Sequence, residues 1–228
     1  MNKEIYRPSK GKIGESVFDI AYLSFDLIAA VIFFANANGN RALMLFGVLT
    51  LLLGGGDAFH LIPRVIDHLK GPSSERMYYM QLGVAVSSIT MTIFYLVLYL
   101  IFKELFPGFY IHPVITWIIW GTAIFRIVVC RMPQNGWFSN EENIKWSLLR
   151  NLPFAVTGFF VMLLFFQAGN LYGYHIYRVG IAIILSFGFY FPVTLFAKRK
   201  PWVGSLMMPK TLAYVWIISI GLSLVGKL

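Results

Sequence analysis

Hydrophobic residues in this chain fall into seven long blocks, and polar residues collect in the short stretches between them. A hydrocarbon layer about 30 Å thick takes roughly 20 mostly apolar helical residues to cross. Blocks of that length lie at roughly 17 to 37, 42 to 62, 78 to 102, 112 to 130, 148 to 167, 175 to 197 and 208 to 226, with ends set to within about two to four residues. Turn formers separate them: Asn38-Gly39-Asn40, Gly71-Pro72-Ser73, Pro107-Gly108, Pro133 through Gly136, Gly169-Asn170 and Pro201. The blocks do not alternate in polarity over segments of about ten residues, as a membrane β-barrel would require. The pattern predicts an all-α integral membrane protein: residues 17 to 228 form a single bundle of seven transmembrane helices behind a cytoplasmic tail of residues 1 to 16.

Composition agrees with this picture. Of the residues, 58% are hydrophobic and 13% charged, whereas soluble domains carry about 45–50% apolar and about 25% charged residues. A lone cysteine, Cys130, rules out an internal disulfide. The formal net charge of +9 would point to nucleic acid in a soluble protein, so the placement of the 19 basic residues decides what it means. Fourteen of them fall in the N-terminal tail (Lys3, Arg7, Lys10, Lys12) and in the connections after spans two, four and six. The opposite side holds three, Arg41, Lys103 and Lys227, while Arg126 and Arg178 lie within spans. Short cytoplasmic loops are enriched in Lys and Arg, so the bias predicts a cytoplasmic N-terminus and an outside C-terminus. The charge is then a topology signal with some attraction for anionic lipid. A multi-pass protein of the plasma membrane follows, with lipid and not nucleic acid as its partner.

Two local features refine the spans. Ala35-Asn36-Ala37 follows the first block as a signal-peptidase site would, but a signal core has about 7–15 residues and no charge, and this block is longer and contains Asp26. The reading is an uncleaved anchor. After span four, Ser139 stands three residues before Glu142 as in a capping box, and predicts a short interfacial helix running into span five, with Trp137, Phe138 and Trp146 at headgroup level.

Ionisable residues inside spans are costly unless paired or hydrated, which makes each one a functional candidate. In span two, Asp57, His60 and Arg64 recur at i, i+3, i+7 and share one helical face within about 60°. Gly54-Gly55-Gly56 just before them allows a neighbouring backbone to approach and permits a local break. The bland alternative pairs Asp57 with Arg64 or Arg126. Span one repeats the spacing with Asp19, Tyr22 and Asp26. Asp26 lies near mid-membrane, where it is suited either to proton transfer or to a fixed pair with Arg126. Gln81, Ser88, Thr92, Tyr95 and Tyr99 form a polar line along span three, read as hydrogen-bonding glue between helices or as the wall of a path. By topology Asp26, Asp57, His60, Arg64, Arg126, Arg131, Gln134, Asn135, Arg150 and Asn151 all belong to the cytoplasmic half. On the outer side, Glu104 is expected to pair with Arg178, and His112 and His175 are read as structural residues at helix starts.

Two carboxylates, an imidazole and several guanidiniums in one pocket combine an acid/base pair with an anion clamp. The expected site has Asp57, His60 and Asp26 as proton-handling groups. Arg64, Arg126 and Arg150 bind an anionic headgroup, with Gln81 and Ser88 beside them, on a lipid-like amphiphile. No cofactor is expected. A metal held by Asp57 and His60 with Asp26 as third ligand is the minor variant, since one Asp-x-x-His is an unspecific signal. Competing readings are a proton-coupled carrier, for which seven spans imply a homodimer, and a structural or signalling protein with buried ion pairs only. Seven spans with an inside N-terminus resemble the progestin and adipoQ receptor arrangement. That family's histidines on the last helix have no counterpart between Thr211 and Gly226, so the resemblance implies topology and no zinc site.

Overall fold

The structure, a computed structural model, describes residues 6–139, 143–168, 175–197 and 199–228. Seven α-helices follow in order: α1 Lys10–Ala35, α2 Arg41–Lys70, α3 Ser74–Leu105, α4 Pro113–Cys130, α5 Ile144–Ala168, α6 Tyr177–Phe196 and α7 Met207–Leu222. Short 3₁₀ segments stand at Pro133–Asn135 and Pro201–Leu206. Seven stretches, the last counted from Trp202, are long and apolar enough to cross a membrane, and no strand occurs among the described residues. The protein is a polytopic, all-α membrane protein.

Helix ends form where side chains satisfy free backbone groups. The Ser9 hydroxyl accepts from the Lys12 amide at 3.4 Å, Asn40 Oδ1 from the Leu43 amide at 3.1 Å, and His112 Nδ1 from the Val114 amide at 3.3 Å. His112 thus has the structural role expected of it. Because Ser9 caps α1, residues 10–16, read above as tail, are its first turns.

Three further expectations change. The glycines at 54 to 56 do not break α2, which continues through them and through Pro63 to Lys70. They serve the second purpose instead: a Cβ on Gly54 would lie 2.8 Å from the Asp26 Cβ, and one on Gly56 would collide with Thr90. Among the described residues, the helix expected to run into span five is not distinct from it. Ile144 begins a helix that runs unbroken to Ala168, and the Trp146 amide reaches Asn143 Oδ1 at 3.4 Å. Glu142, half of the expected capping box, lies outside the described residues, as do Gly169, Asn170 and Lys198. Glu104 faces Arg41 at 4.0 Å across the α1–α2 end of the bundle, not Arg178.

Successive helices pack side by side, and α7 returns to α1 and α2 to close the ring. The interior is aromatic, with Phe33, Phe46, Phe94, Tyr95, Tyr99, Phe102 and Phe165 fully buried. Outward faces are apolar as well: on α4, Trp117, Ile124, Phe125 and Val128 are exposed, a surface suited to lipid and not to water. At the end where α1 finishes, the rings of Phe33 and Phe46 stack at 5.4 Å between centroids, and Gly221 of α7 presses on both. There Asn40 also donates to the Leu228 carbonyl at 3.4 Å. The start of α7 lines, together with α1 and α2, the cavity described next.

Candidate functional site

A cavity of about 520 Å³ occupies the end of the bundle that carries the basic connections. All seven helices line it: α1 with Asp19 and Tyr22, α2 with Asp57, His60 and Arg64, and α3 with Ser87 and Ser88. Arg126 comes from α4, Phe154 from α5, Tyr190 from α6 and Lys210 from α7, while Trp202 approaches from the preceding 3₁₀ segment.

The polar wall is built by two helical faces that meet in antiparallel order. Asp19, Tyr22 and Asp26 along α1 oppose Arg64, Asp57 and Gly54 along α2. Arg64 grips Asp19 bidentately, Nε to Oδ2 at 3.0 Å and Nη2 to Oδ1 at 2.7 Å. The Tyr22 hydroxyl donates to Asp57 Oδ2 at 2.9 Å, and Ser87 of α3 donates to Asp57 Oδ1 at 2.8 Å. Asp26 packs on Gly54, 2% exposed, and neither of its oxygens accepts a hydrogen bond of ordinary geometry. Asp57 therefore pairs with neither Arg64 nor Arg126, and Asp26 is not paired with Arg126: the simple pairings considered from sequence are replaced by a cross-helix ladder. Gly83 fixes His60, because the backbones of α2 and α3 touch there so closely that any Cβ would collide with the His60 amide. The imidazole lines the cavity with its Nδ1 buried and without a hydrogen bond.

Arg64 and Asp19 behave as a partly buried pair, Arg64 with 35% and Asp19 with 2% of its side chain exposed. Removing the guanidinium leaves a buried charge, whereas neutralising the carboxylate leaves one that can reach water. Arg64→Ala is expected to cost about 3 kcal/mol of stability and Asp19→Asn about 1 kcal/mol, read by thermal unfolding in detergent. Equal losses would mean that the pair is not desolvated.

Two cations complete the opposite walls. Arg126 is 2% exposed, stacks at 3.7 Å from the Phe154 ring centre, and donates from Nη1 to Thr92 at 2.7 Å. The Lys210 ammonium rests over the rings of Tyr190 and Tyr214 at 5.0 and 5.6 Å. Neither has a carboxylate within 4.0 Å among the described residues.

The cavity gathers Asp57, His60, Arg64, Arg126 and Ser88 from the residues selected by sequence. Asp26 lies behind its wall, and Gln81 does not line it. Arg150 is also elsewhere: it donates to Asn135 Oδ1 at 3.1 Å and lies 4.5 Å over Trp137, tying the start of α5 to the connection after α4. The polar line on α3 is mainly glue. Tyr99 bonds Thr116 at 2.8 Å, Thr92 accepts from Arg126, and Tyr95 is packed among rings. Lys210, Ser87 and Tyr190 were not singled out from sequence. Among the described residues no three His, Cys, Asp or Glu side chains converge to hold a metal ion, so the set Asp26, Asp57 and His60 does not assemble. No family model, characterised protein or solved structure matches the chain.

Proposed function

We propose that the protein recognises an amphiphile through an anionic headgroup bound between Arg126 and Lys210, with the cavity open to the cytoplasmic leaflet of the plasma membrane. The observation that carries this reading is a pair of cations, held by aromatic rings and a hydroxyl and not by carboxylates, lining a cavity inside a membrane bundle. Such cations keep their positive potential for a ligand, and in a site partly shielded from water that potential is strong. The fourteen-to-three bias in basic residues supports the cytoplasmic orientation. Asp57 and His60 line the same space and are the groups able to move a proton there. Their lack of a mutual hydrogen bond favours recognition over a preassembled acid/base dyad.

The test is lipid binding by the intact chain in phosphatidylcholine nanodiscs titrated with phosphatidic acid, read by native mass spectrometry. Selective retention of the anionic lipid is expected. Equal retention of phosphatidic acid and a neutral diacylglycerol would end the reading. Asp26, buried near mid-span without a hydrogen bond, favours proton-coupled solute transport as a second reading. For that reading, Asp26→Asn should abolish pH-driven uptake into reconstituted vesicles, and uptake indifferent to a pH gradient would remove it.

A further inference from the structure

Asp57 has a different environment from the other carboxylates that line the cavity. Asp19 is neutralised by two-pronged contact with Arg64, and Glu15 is half-exposed beside His68, 3.8 Å away. Asp57 receives only neutral donors, the hydroxyls of Tyr22 and Ser87. No Lys, Arg or His nitrogen among the described residues comes within 4.0 Å of it. The cations that share its cavity are held by other groups: Arg64 by Asp19, Arg126 by Phe154 and Thr92, and Lys210 by two tyrosine rings. A carboxylate has about four acceptor positions, so two hydroxyls leave capacity on its oxygens. Lys210 acts on Asp57 only from beyond 4.0 Å, so the oxygens of this half-buried carboxylate inside a membrane bundle have room for a cation in direct contact.

We propose that Asp57 receives a primary ammonium of the ligand, so that the headgroup bound here joins an amine to a phosphate or carboxylate. This rests on the anionic-headgroup reading and narrows it. The amine meets Asp57 on the α1–α2 wall, and the anion meets Arg126 and Lys210 on the α4 and α7 walls of the same cavity, so the two charges of one headgroup face different walls. Tyr22 and Ser87 hold the carboxylate in place, and the desolvated site favours N–H donors over a quaternary ammonium, which has no proton to give.

The experiment compares headgroups at constant acyl chain in the intact chain in phosphatidylcholine nanodiscs. Phosphatidylethanolamine and phosphatidylserine carry the amine, phosphatidic acid and phosphatidylglycerol lack it, and phosphatidylcholine replaces its N–H groups with methyls. A charge-assisted hydrogen bond corresponds to roughly tenfold or more in affinity, so phosphatidylserine should bind at least about tenfold tighter than phosphatidylglycerol, and Asp57→Asn should erase the difference. Asparagine keeps one oxygen to accept from Tyr22 or Ser87 and turns an NH2 donor toward the other hydroxyl oxygen. Should that variant fail to fold, the headgroup comparison in the unaltered protein decides the matter. If phosphatidylserine and phosphatidylglycerol bind alike, the amine at Asp57 is overturned while the anionic-headgroup reading stands. If no anionic lipid is preferred to diacylglycerol, both fall. Displacement of the lipid by soluble O-phosphoethanolamine at similar concentration supports the same chemistry and identifies a free solute as its source.

Discussion

Gly83→Ala should destabilise the bundle by about 3 kcal/mol, the largest effect expected of any single methyl group in this protein. The reason is what the methyl would meet. At Gly47 a Cβ would touch the far ring atoms of Phe34, which can turn aside, and at Gly56 it would meet only the side chain of Thr90, from hydroxyl to Cβ. At Gly83 it would meet the backbone of Phe59 and His60, which belongs to an unbroken helix and cannot yield without moving α2 as a whole. Because the same contact positions His60, any folded fraction of the variant should also have an altered cavity wall. Denaturation by graded detergent, followed by circular dichroism, measures the first effect. A variant as stable as the parent would show that α2 and α3 are not in backbone contact.

Exchanging both Arg126 and Lys210 for Met should weaken binding of phosphatidic acid by about a thousandfold, since each charge-assisted contact is worth roughly 10- to 100-fold. Stability is expected to respond in the opposite sense to the usual loss from mutating a buried residue. Arg126 is almost wholly buried, and its Nε makes no hydrogen bond among the described residues. Replacing a desolvated cation that lacks an ionic partner with an apolar chain of similar length is neutral or favourable. Binding should thus collapse while the melting temperature holds or rises, a combination that misfolding cannot produce. A melting temperature that falls along with binding would make the two cations structural.

The number and order of the helices were legible because span length in lipid is a coarse constraint, and breakers such as Asn38-Gly39-Asn40 stand at nearly every joint. The face shared by Asp57, His60 and Arg64 was legible for the same kind of reason: helical spacing puts them together wherever the helix lies. What each face meets was not. In lipid the outer surface is as apolar as the interior, so hydrophobicity does not set the rotation of a helix, and Trp117 and Phe102 look equivalent in sequence although one is 77% exposed and the other buried. Arg150 therefore seemed to belong with Arg126 on topology alone. Lys210 was absorbed into the basic-side tally, yet its spacing to Tyr214, one helical turn, carried a signal: a cation followed at i+4 by a tyrosine at the start of a span. The glycines at 54 to 56 announced close approach, but the identity of the approaching residue, Asp26 for Gly54 and Thr90 for Gly56, depends on the crossing of helices.

The seam that Phe33, Phe46 and Gly221 close has a consequence for biosynthesis. It joins α1 and α2 to α7, and the Asn40 to Leu228 contact spans 188 residues of chain. During translation α7 is made after α1 to α6, so a chain with those six helices inserted has the wall of Asp19, Asp57 and Arg126 without the helix that completes its enclosure. The ion pair between Asp19 and Arg64 and the hydroxyl bonds to Asp57 are made within α1 to α3, and can shield those charges from lipid while the ring is still open. The early helices thus carry their own neutralising contacts, and the chain can wait in the bilayer for α7.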